Sequence, residues 1–515
     1  MAESPAAQPS SVLSDPGFPD VTESDWETAA EGALRGQPLS SLVTTLLDGI
    51  ETAPLYTAQR NGTEADPAGL PGDAPFTRGA TAASGGRGWE VRQIHDVRLA
   101  STPDAVAVDT TSGVDAVTVA HGWSAVDDAV LLDAAVGDAA GAGVTIHLQA
   151  GASPEHAEAL LGVLGRHGAV PEHTRSWLGI DPIAAAAAGS QTSLADMGDG
   201  SRLAGQMAHA VARAVEFRQQ RPQAIPLEAD GSVFADAGAT DVTELASMLA
   251  TGTAWLRAAC DADAGPRLEP AAAARLLGFT ISAGPDPFVV TAKCRALRRS
   301  WARILAACAV DLRDTDGLPM PLHAVTSTAM ASSLDPWVNM LRATTACFGA
   351  ANGGVDAITV RPYDAVSSGP ASSALGWRVA ANTQLILRHE SRIGSVIDPA
   401  GGSWYLEDLT RSMAHEAWDR FRRIEAAGGI CSALASGELE ARISQERAQR
   451  QEQIAAGDRV IVGVTQFADS LDASGGAAPP AGGGTDPEAA SARTGEAHGG
   501  LGTHRWAAPF EAGAA

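Results

Sequence analysis

The sequence predicts an α/β fold, a (β/α)8 TIM-type barrel, with an extended N-terminal arm ahead of it and a disordered C-terminal tail behind it. From about residue 115 onward, short apolar runs rich in Val and Ile alternate with Ala-rich segments of helical length. Eight such runs can be counted: Ala116–Ala120, Val144–Leu148, Trp177–Ile180, Ala224–Leu227, Leu276–Ile281, Pro321–Val325, Ala357–Val360 and Gly394–Ile397. Eight βα units within about 300 residues fit a closed parallel barrel. No Gly-rich dinucleotide fingerprint follows the first run, which weighs against an open doubly wound sheet.

The elements follow in order. Residues 1–19 begin with a Ser/Pro/Ala-rich stretch and read as a disordered lead. Residues 20–100 form the arm. It opens with an amphipathic helix from Ser24 to about Arg35, capped by Ser24 or Asp25, with Trp26, Ala29 and Ala33 near one face. A Pro- and Gly-punctuated stretch then runs to about residue 92; it is too long for a loop inside a compact domain and is expected to wrap over a neighbour. The barrel is assigned to 101–466, with one or two long helices over 412–456 and a last strand or turn at Arg459–Val464. Residues 467–515 are Gly/Ala/Pro/Ser-rich and read as disordered; Trp506 and Phe510 are isolated aromatics within them.

Bulk composition narrows the function classes. The 515 residues carry a formal net charge of −25, a field that repels nucleic acid and anionic membrane. No run approaches 20 apolar residues, and Met1–Pro19 lacks the basic and apolar regions of a secretory signal. Five cysteines, Cys260, Cys294, Cys308, Cys347 and Cys431, lie far apart with no C-x-x-C pair, which favours a reduced, cytoplasmic protein without a zinc site. Lys293 is the only lysine, so a Schiff-base mechanism would have to use it. Its helix-like, arginine-rich surroundings, Ala292 to Arg303, argue against that role.

Barrel function sits at the carboxyl ends of the strands. The sequence places His121, Gln149, Asp181, Asp230, Ser282, Thr326, Arg361 and Asp398 there, a polar set without a known catalytic constellation. His121 reads as a loop histidine bonded to backbone. His147, inside the alternating run Thr145–Gln149, would face the lumen and require a hydrogen bond. His323 reads as core. Arg361 either binds an anion or pairs with Asp364 or a neighbour. The sequence has no G-x-S-x-G elbow and no histidine–carboxylate cluster for a metal, and the Gly-rich Ser84–Gly88 lacks the Lys-Ser/Thr pair of a phosphate loop.

Several stretches resemble the adenosylcobalamin-dependent acyl-CoA mutases, the methylmalonyl-CoA mutase family. They are DGIETAPLYT at Asp48–Thr57, PFTRG at Pro75–Gly79, WEVRQ at Trp89–Gln93 and AGAT at Ala237–Thr240. Further along come AKCRA at Ala292–Ala296 with Trp301-Ala302, NTQLIL at Asn382–Leu387, DPAGGSWY at Asp398–Tyr405 and VIVGV at Val460–Val464. The likeness covers roughly residues 20–466.

The departures from the family pattern bear on function. Catalytic members carry a tyrosine shortly after Thr-Arg-Gly that presses on the corrin; here that position falls on Ser84 or Gly85, and the only tyrosines are Tyr56, Tyr363 and Tyr405. The histidine that hydrogen-bonds the substrate thioester is replaced by Val233, which can neither donate nor accept a proton. The cobalamin-domain signature Asp-x-His-x-x-Gly is absent, and the stretch after Val464 is too short and polar for a flavodoxin-like domain. The resemblance therefore implies a non-catalytic small subunit, with no catalytic, cofactor or metal residues of its own. Its partner would be a larger chain that holds adenosylcobalamin and acyl-CoA, interconverts (R)-methylmalonyl-CoA and succinyl-CoA, and is wrapped by the arm. A barrel-only catalytic chain working with a separate cobalamin-binding chain is the alternative. A third reading, an acyl-CoA sensor, needs Arg87, Arg92 and Arg361 to converge.

Overall fold

The computed structural model describes residues 21–58, 68–79, 88–120, 128–169, 175–189, 200–261, 267–313, 320–368, 372–468 and 500–511. The chain divides into two compact units, one ending at Tyr56 and one beginning at Thr57. The first unit holds the helix Glu23–Ala33 and a two-residue antiparallel ladder pairing Thr44–Thr45 with Glu51–Thr52. The helix starts one residue earlier than predicted and is capped by Thr22, not by Ser24 or Asp25. Thr22 accepts from the Asp25 backbone, and the Asp25 carboxylate reaches back, a reciprocal pair that satisfies two helix-end donors.

The second unit is the barrel. Its eight strands are β1 Glu90–Asp96, β2 Ala116–Ala120, β3 Thr145–Leu148, β4 Trp177–Ile180, β5 Ile225–Asp230, β6 Leu277–Ala283, β7 Leu322–Thr326 and β8 Ala357–Thr359. All the pairings are parallel, and neighbours follow chain order around the ring, with β8 against β1. A helix follows each strand: α1 Thr102–Thr111, α2 Asp128–Gly141, α3 Pro154–Arg166, α4 Ser201–Gln220, α5 Asp241–Cys260, α6 Pro287–Ala307, α7 Val338–Asn352 and α8 Ala374–Leu385. Asp, Ser or Thr side chains cap α3, α5, α6 and α8, so polar residues between apolar runs set where these helices begin. Three more helices, α9 Trp404–Ala426, α10 Ile430–Ala435 and α11 Glu438–Ala456, pack outside the ring, where one or two long ones were expected over 412–456. No described helix is long and apolar enough to cross a membrane.

Two of the predicted barrel limits are corrected. The first strand is Glu90–Asp96, which the sequence reading left in the arm, so the barrel begins before residue 101. Its composition hides it, because polar groups on both of its faces find partners. Arg92 pairs with Glu90, while Gln93 Nε2 donates to the Trp377 carbonyl (3.0 Å) and His95 meets Asp109 of α1 at 2.6 Å. The run Gly394–Ile397 is no strand; it holds a short 3-10 turn, Ile393–Ser395, and Val396 is exposed.

The ring closes between β3 and β4 through a bridge from Ala152 to Ile180, with Ala152 N–H donating to the Gly179 carbonyl at 2.9 Å. Gly179 has φ +63, and a Cβ there would stand 2.4 Å from the Gln149 carbonyl oxygen. Strain at positive φ and a clash with backbone act together at this seam. Gly179→Ala is therefore expected to cost at least about 3 kcal/mol, read as a lower urea midpoint at unchanged slope. A midpoint within error of the parent would mean that the seam does not require glycine.

Candidate functional site

The barrel lumen is lined with polar groups that satisfy one another, from Glu90 and Trp177 at the amino ends of β1 and β4 to Asp230 at the carboxyl end of β5. Arg92 on β1 donates from Nε to Glu90 and lies over the Trp177 ring, 4.7 Å from its centroid. His147 on β3 meets Glu90 Oε1 at 3.0 Å through Nε2, and its Nδ1 accepts from the Trp177 backbone at 2.9 Å, which fixes the proton on Nε2. Burial, then the neighbouring Arg92 charge, push His147 down to about 4, so it is neutral at pH 7. Burial also opposes ionisation of Glu90, but Arg92 and His147 outweigh it and hold that carboxyl well below its usual range.

A second chain of contacts crosses the lumen. Thr280 on β6 donates to Glu228 on β5, and its hydroxyl lies 3.1 Å from His323 Nδ1; His323 Nε2 lies 2.9 Å from Thr359 Oγ1 on β8. Glu228 is pushed up to about 8 by burial and by the nearby Asp230. Asp230 is itself raised to about 6, chiefly by burial. Asp181 is raised to about 7 by burial although it accepts backbone bonds from Ile183, Ala184 and Asp230. What remains open among these side chains is about 30 Å³. That is the space of roughly one water, against the hundreds of Å³ of a ligand pocket.

The predicted strand-end residues separate into groups. Gln149, Asp230 and Arg361 line this small cavity. Asp181 caps a short helix, Ser282 gives its N–H to Glu244 at 2.6 Å, and Thr326 receives the Arg361 N–H at 2.8 Å. Asp398 is bonded away from the lumen, to Arg78 (2.8 Å) and Arg295. Arg361 donates to the Thr326 carbonyl and Asp364 accepts from the Ser373 N–H at 2.9 Å, so of the alternatives left open for Arg361 the pair with Asp364 does not form. His323, predicted as core, is buried as part of the polar lumen. His121, Ser84, Gly85 and Arg87 lie outside the described residues. Glu90, Trp177, Glu228 and Thr280 went unpredicted; the one available signal was a carboxylate in the middle of the buried run Ile225–Asp230.

Within the tail predicted as disordered over 467–515, residues 500–511 depart from that reading and hold defined contacts. They bond to segments that follow the strands at their carboxyl ends: Leu501 N–H donates to the Ala187 carbonyl (2.7 Å), His504 to Asp236 (2.7 Å) and Trp506 to Ala329 (2.9 Å). Glu511 accepts from Ser333 N–H at 2.8 Å, and Arg450 stacks over the Trp506 ring. Among the described residues no group of three or more His, Cys, Asp or Glu is placed to hold a metal ion.

The family model for methylmalonyl-CoA mutase matches residues 203–477. The small subunit of methylmalonyl-CoA mutase from Streptomyces virginiae is 38% identical over 471 residues, covering 87% of this chain and 71% of that one. The chain belongs to the methylmalonyl-CoA mutase family. The small subunit from Propionibacterium freudenreichii subsp. shermanii is 33% identical, covering 87% of this chain and 69% of its own length. The methylmalonyl-CoA mutase of Cereibacter sphaeroides is 31% identical over 86% of this chain and 64% of its own. The mutase family is one of isomerases that use adenosylcobalamin. In this chain the segments of family resemblance are tied together. Trp89 Nε1 donates to Gln384 at 3.1 Å, Arg295 joins α6 to Asp398, and Arg450 binds the Gly238 and Ala239 carbonyls at 2.8 and 3.1 Å.

Proposed function

We propose that this chain is the non-catalytic small subunit of a two-chain methylmalonyl-CoA mutase, stabilising a larger chain that carries adenosylcobalamin and the acyl-CoA. The observation that carries this reading is the filled lumen. Arg92, Glu90, His147 and Trp177 hold one another in the lumen, His323 is held there by Thr280 and Thr359, and about 30 Å³ is left. A thioester with its pantetheine arm cannot enter such a space. Three further observations agree. Val233, on the short helix Ser232–Asp236 beside β5, offers no proton where the resemblance places a donor. The segment 500–511 is bonded to segments at the carboxyl end of the barrel, where barrel function sits. The described residues also do not fit a corrin: His147 and His323 are committed inside the lumen, so neither is free to ligate cobalt there. The 20–100 arm, less the barrel strand it turned out to contain, is the segment assigned to wrap the larger chain.

The test is purification of the tagged chain from its native cells, with mutase assays on the chain alone and on whatever accompanies it. The expected result is a larger companion in about one-to-one ratio and turnover of methylmalonyl-CoA only when that companion is present. Turnover by the isolated chain with adenosylcobalamin, or with only a short cobalamin-binding protein, would overturn the proposal.

A further inference from the structure

Outside the ring, α5, α9, α10 and α11 enclose a cavity of about 290 Å³ that no part of the mutase reading uses. Its volume is near the lower bound for small-molecule sites, roughly ten times the share of one water. One wall is apolar, built from Ala246, Ile424, Ala433 and Leu439. Arg420, Arg423 and Arg442 also line it, an unusual concentration of positive charge in a chain of net charge −25.

These arginines are not equally committed. Arg420 is fixed: its Nη1 donates to Thr240 Oγ1 (2.9 Å), Thr243 Oγ1 (2.6 Å) and Glu446 Oε1 (3.1 Å). Arg442 gives Nε to the same Glu446 oxygen at 2.9 Å, and its two terminal nitrogens have no partner among the described residues. The guanidinium of Arg423 has none there at all. Glu446 is already saturated, since it also accepts from Thr240 N–H (2.9 Å) and the Thr243 hydroxyl (2.7 Å). Glu438 at the rim is the opposing charge, and it is exposed.

We propose that this cavity binds a small organic anion. Its oxyanion headgroup would be held by the planar donors of Arg423 and Arg442, and its short apolar tail would lie on the alanine, isoleucine and leucine wall. Guanidinium forks suit carboxylate and phosphate alike. The apolar wall selects against a bare inorganic ion, because tail burial adds affinity that a headgroup alone lacks.

Calorimetric titration of the full chain at low salt tests this, with sodium hexanoate as probe and acetate, hexanol and inorganic phosphate as controls. Hexanoate is expected to bind at one site, at least about tenfold more tightly than acetate or hexanol, and Arg423→Gln to weaken it by about tenfold or more. Arg442→Gln is expected to act in the same direction. Both side chains are at least partly exposed, so an unchanged melting temperature without probe confirms that the variants fold. Phosphate binding more tightly than hexanoate would mean that the apolar wall adds nothing to recognition, and would overturn the organic-anion reading. No saturable heat from either anion, hexanoate binding no tighter than acetate, or affinity indifferent to both substitutions would overturn the proposal.

Discussion

Lys293→Met is expected to lose about 3–5 kcal/mol of unfolding free energy, because it strands a buried carboxylate. The Lys293 side chain, on α6, is 1% exposed and donates to Asp241 Oδ1 at 2.7 Å and Glu244 Oε2 at 2.6 Å, both on α5. Glu244 accepts from the Ser282 N–H of β6 with its other oxygen, so one ammonium ties two helices to a strand. Burial disfavours the charged lysine, but Asp241 and Glu244 outweigh it and raise its pKa. A lysine held so firmly protonated is no nucleophile, which removes the Schiff-base chemistry that the only lysine of the chain would have had to supply. Adding Glu244→Gln to the Met variant should recover a large part of the loss, since a neutral amide needs no counter-charge. Urea unfolding of the parent, single and double variants reads this directly; a single-variant loss below about 1 kcal/mol would show that the triad does not hold the helices.

The parts of the barrel that could be read in the sequence are those built from apolar packing. Strands β2 to β8 announce themselves because apolar side chains recur along each of them; all seven residues of β6 and all five of β7 are buried, the polar Thr280 and His323 included. Strand β1 could not be read that way, since its burial depends on Arg92 finding Glu90, Gln93 finding Trp377 and His95 finding Asp109, partners as much as 284 residues apart. Gly394–Ile397 shows the converse: an apolar run whose valine ends up exposed. The segment 500–511 was illegible for a further reason. Its attachment is mostly backbone N–H to loop carbonyls, which leaves little trace in side-chain pattern.

The candidate site divides in the same way. Val233 was legible as a lost donor because a motif framed it. The plug was not, because its residues lie on different strands and only closure of the ring brings them together. The resemblance to the family sits largely in scaffold contacts, such as Trp89 with Gln384 and Arg295 with Asp398, so loss of catalytic groups and retention of fold are separable.

The filled lumen has a pH signature, and Glu228→Gln should expose it. Glu228 is 3% exposed, and its pKa rises from an ordinary 4.5 to about 8. A carboxyl raised in the folded state binds its proton more tightly there than in the unfolded chain. It therefore contributes stability that is fully present below about pH 4.5 and is lost as pH rises through about 8. Across that window one such group is worth up to about 5 kcal/mol, an order-of-magnitude figure at 1.36 kcal/mol per unit. Asp181 and Glu244, both raised to about 7, act in the same direction. His147, lowered to about 4, acts in the opposite one: the stability from its neutral form is lost as pH falls from about 6.5 toward 4. The parent chain should thus melt higher near pH 6 than at pH 8.5. Glu228→Gln keeps the shape and the acceptor oxygen for Thr280 without a charge to bury. It should melt well above the parent at pH 8.5, with the gap closing by about pH 5. A gap that stays constant across that range would mean that Glu228 does not titrate between the folded and unfolded states, and that the lumen holds it ionised throughout.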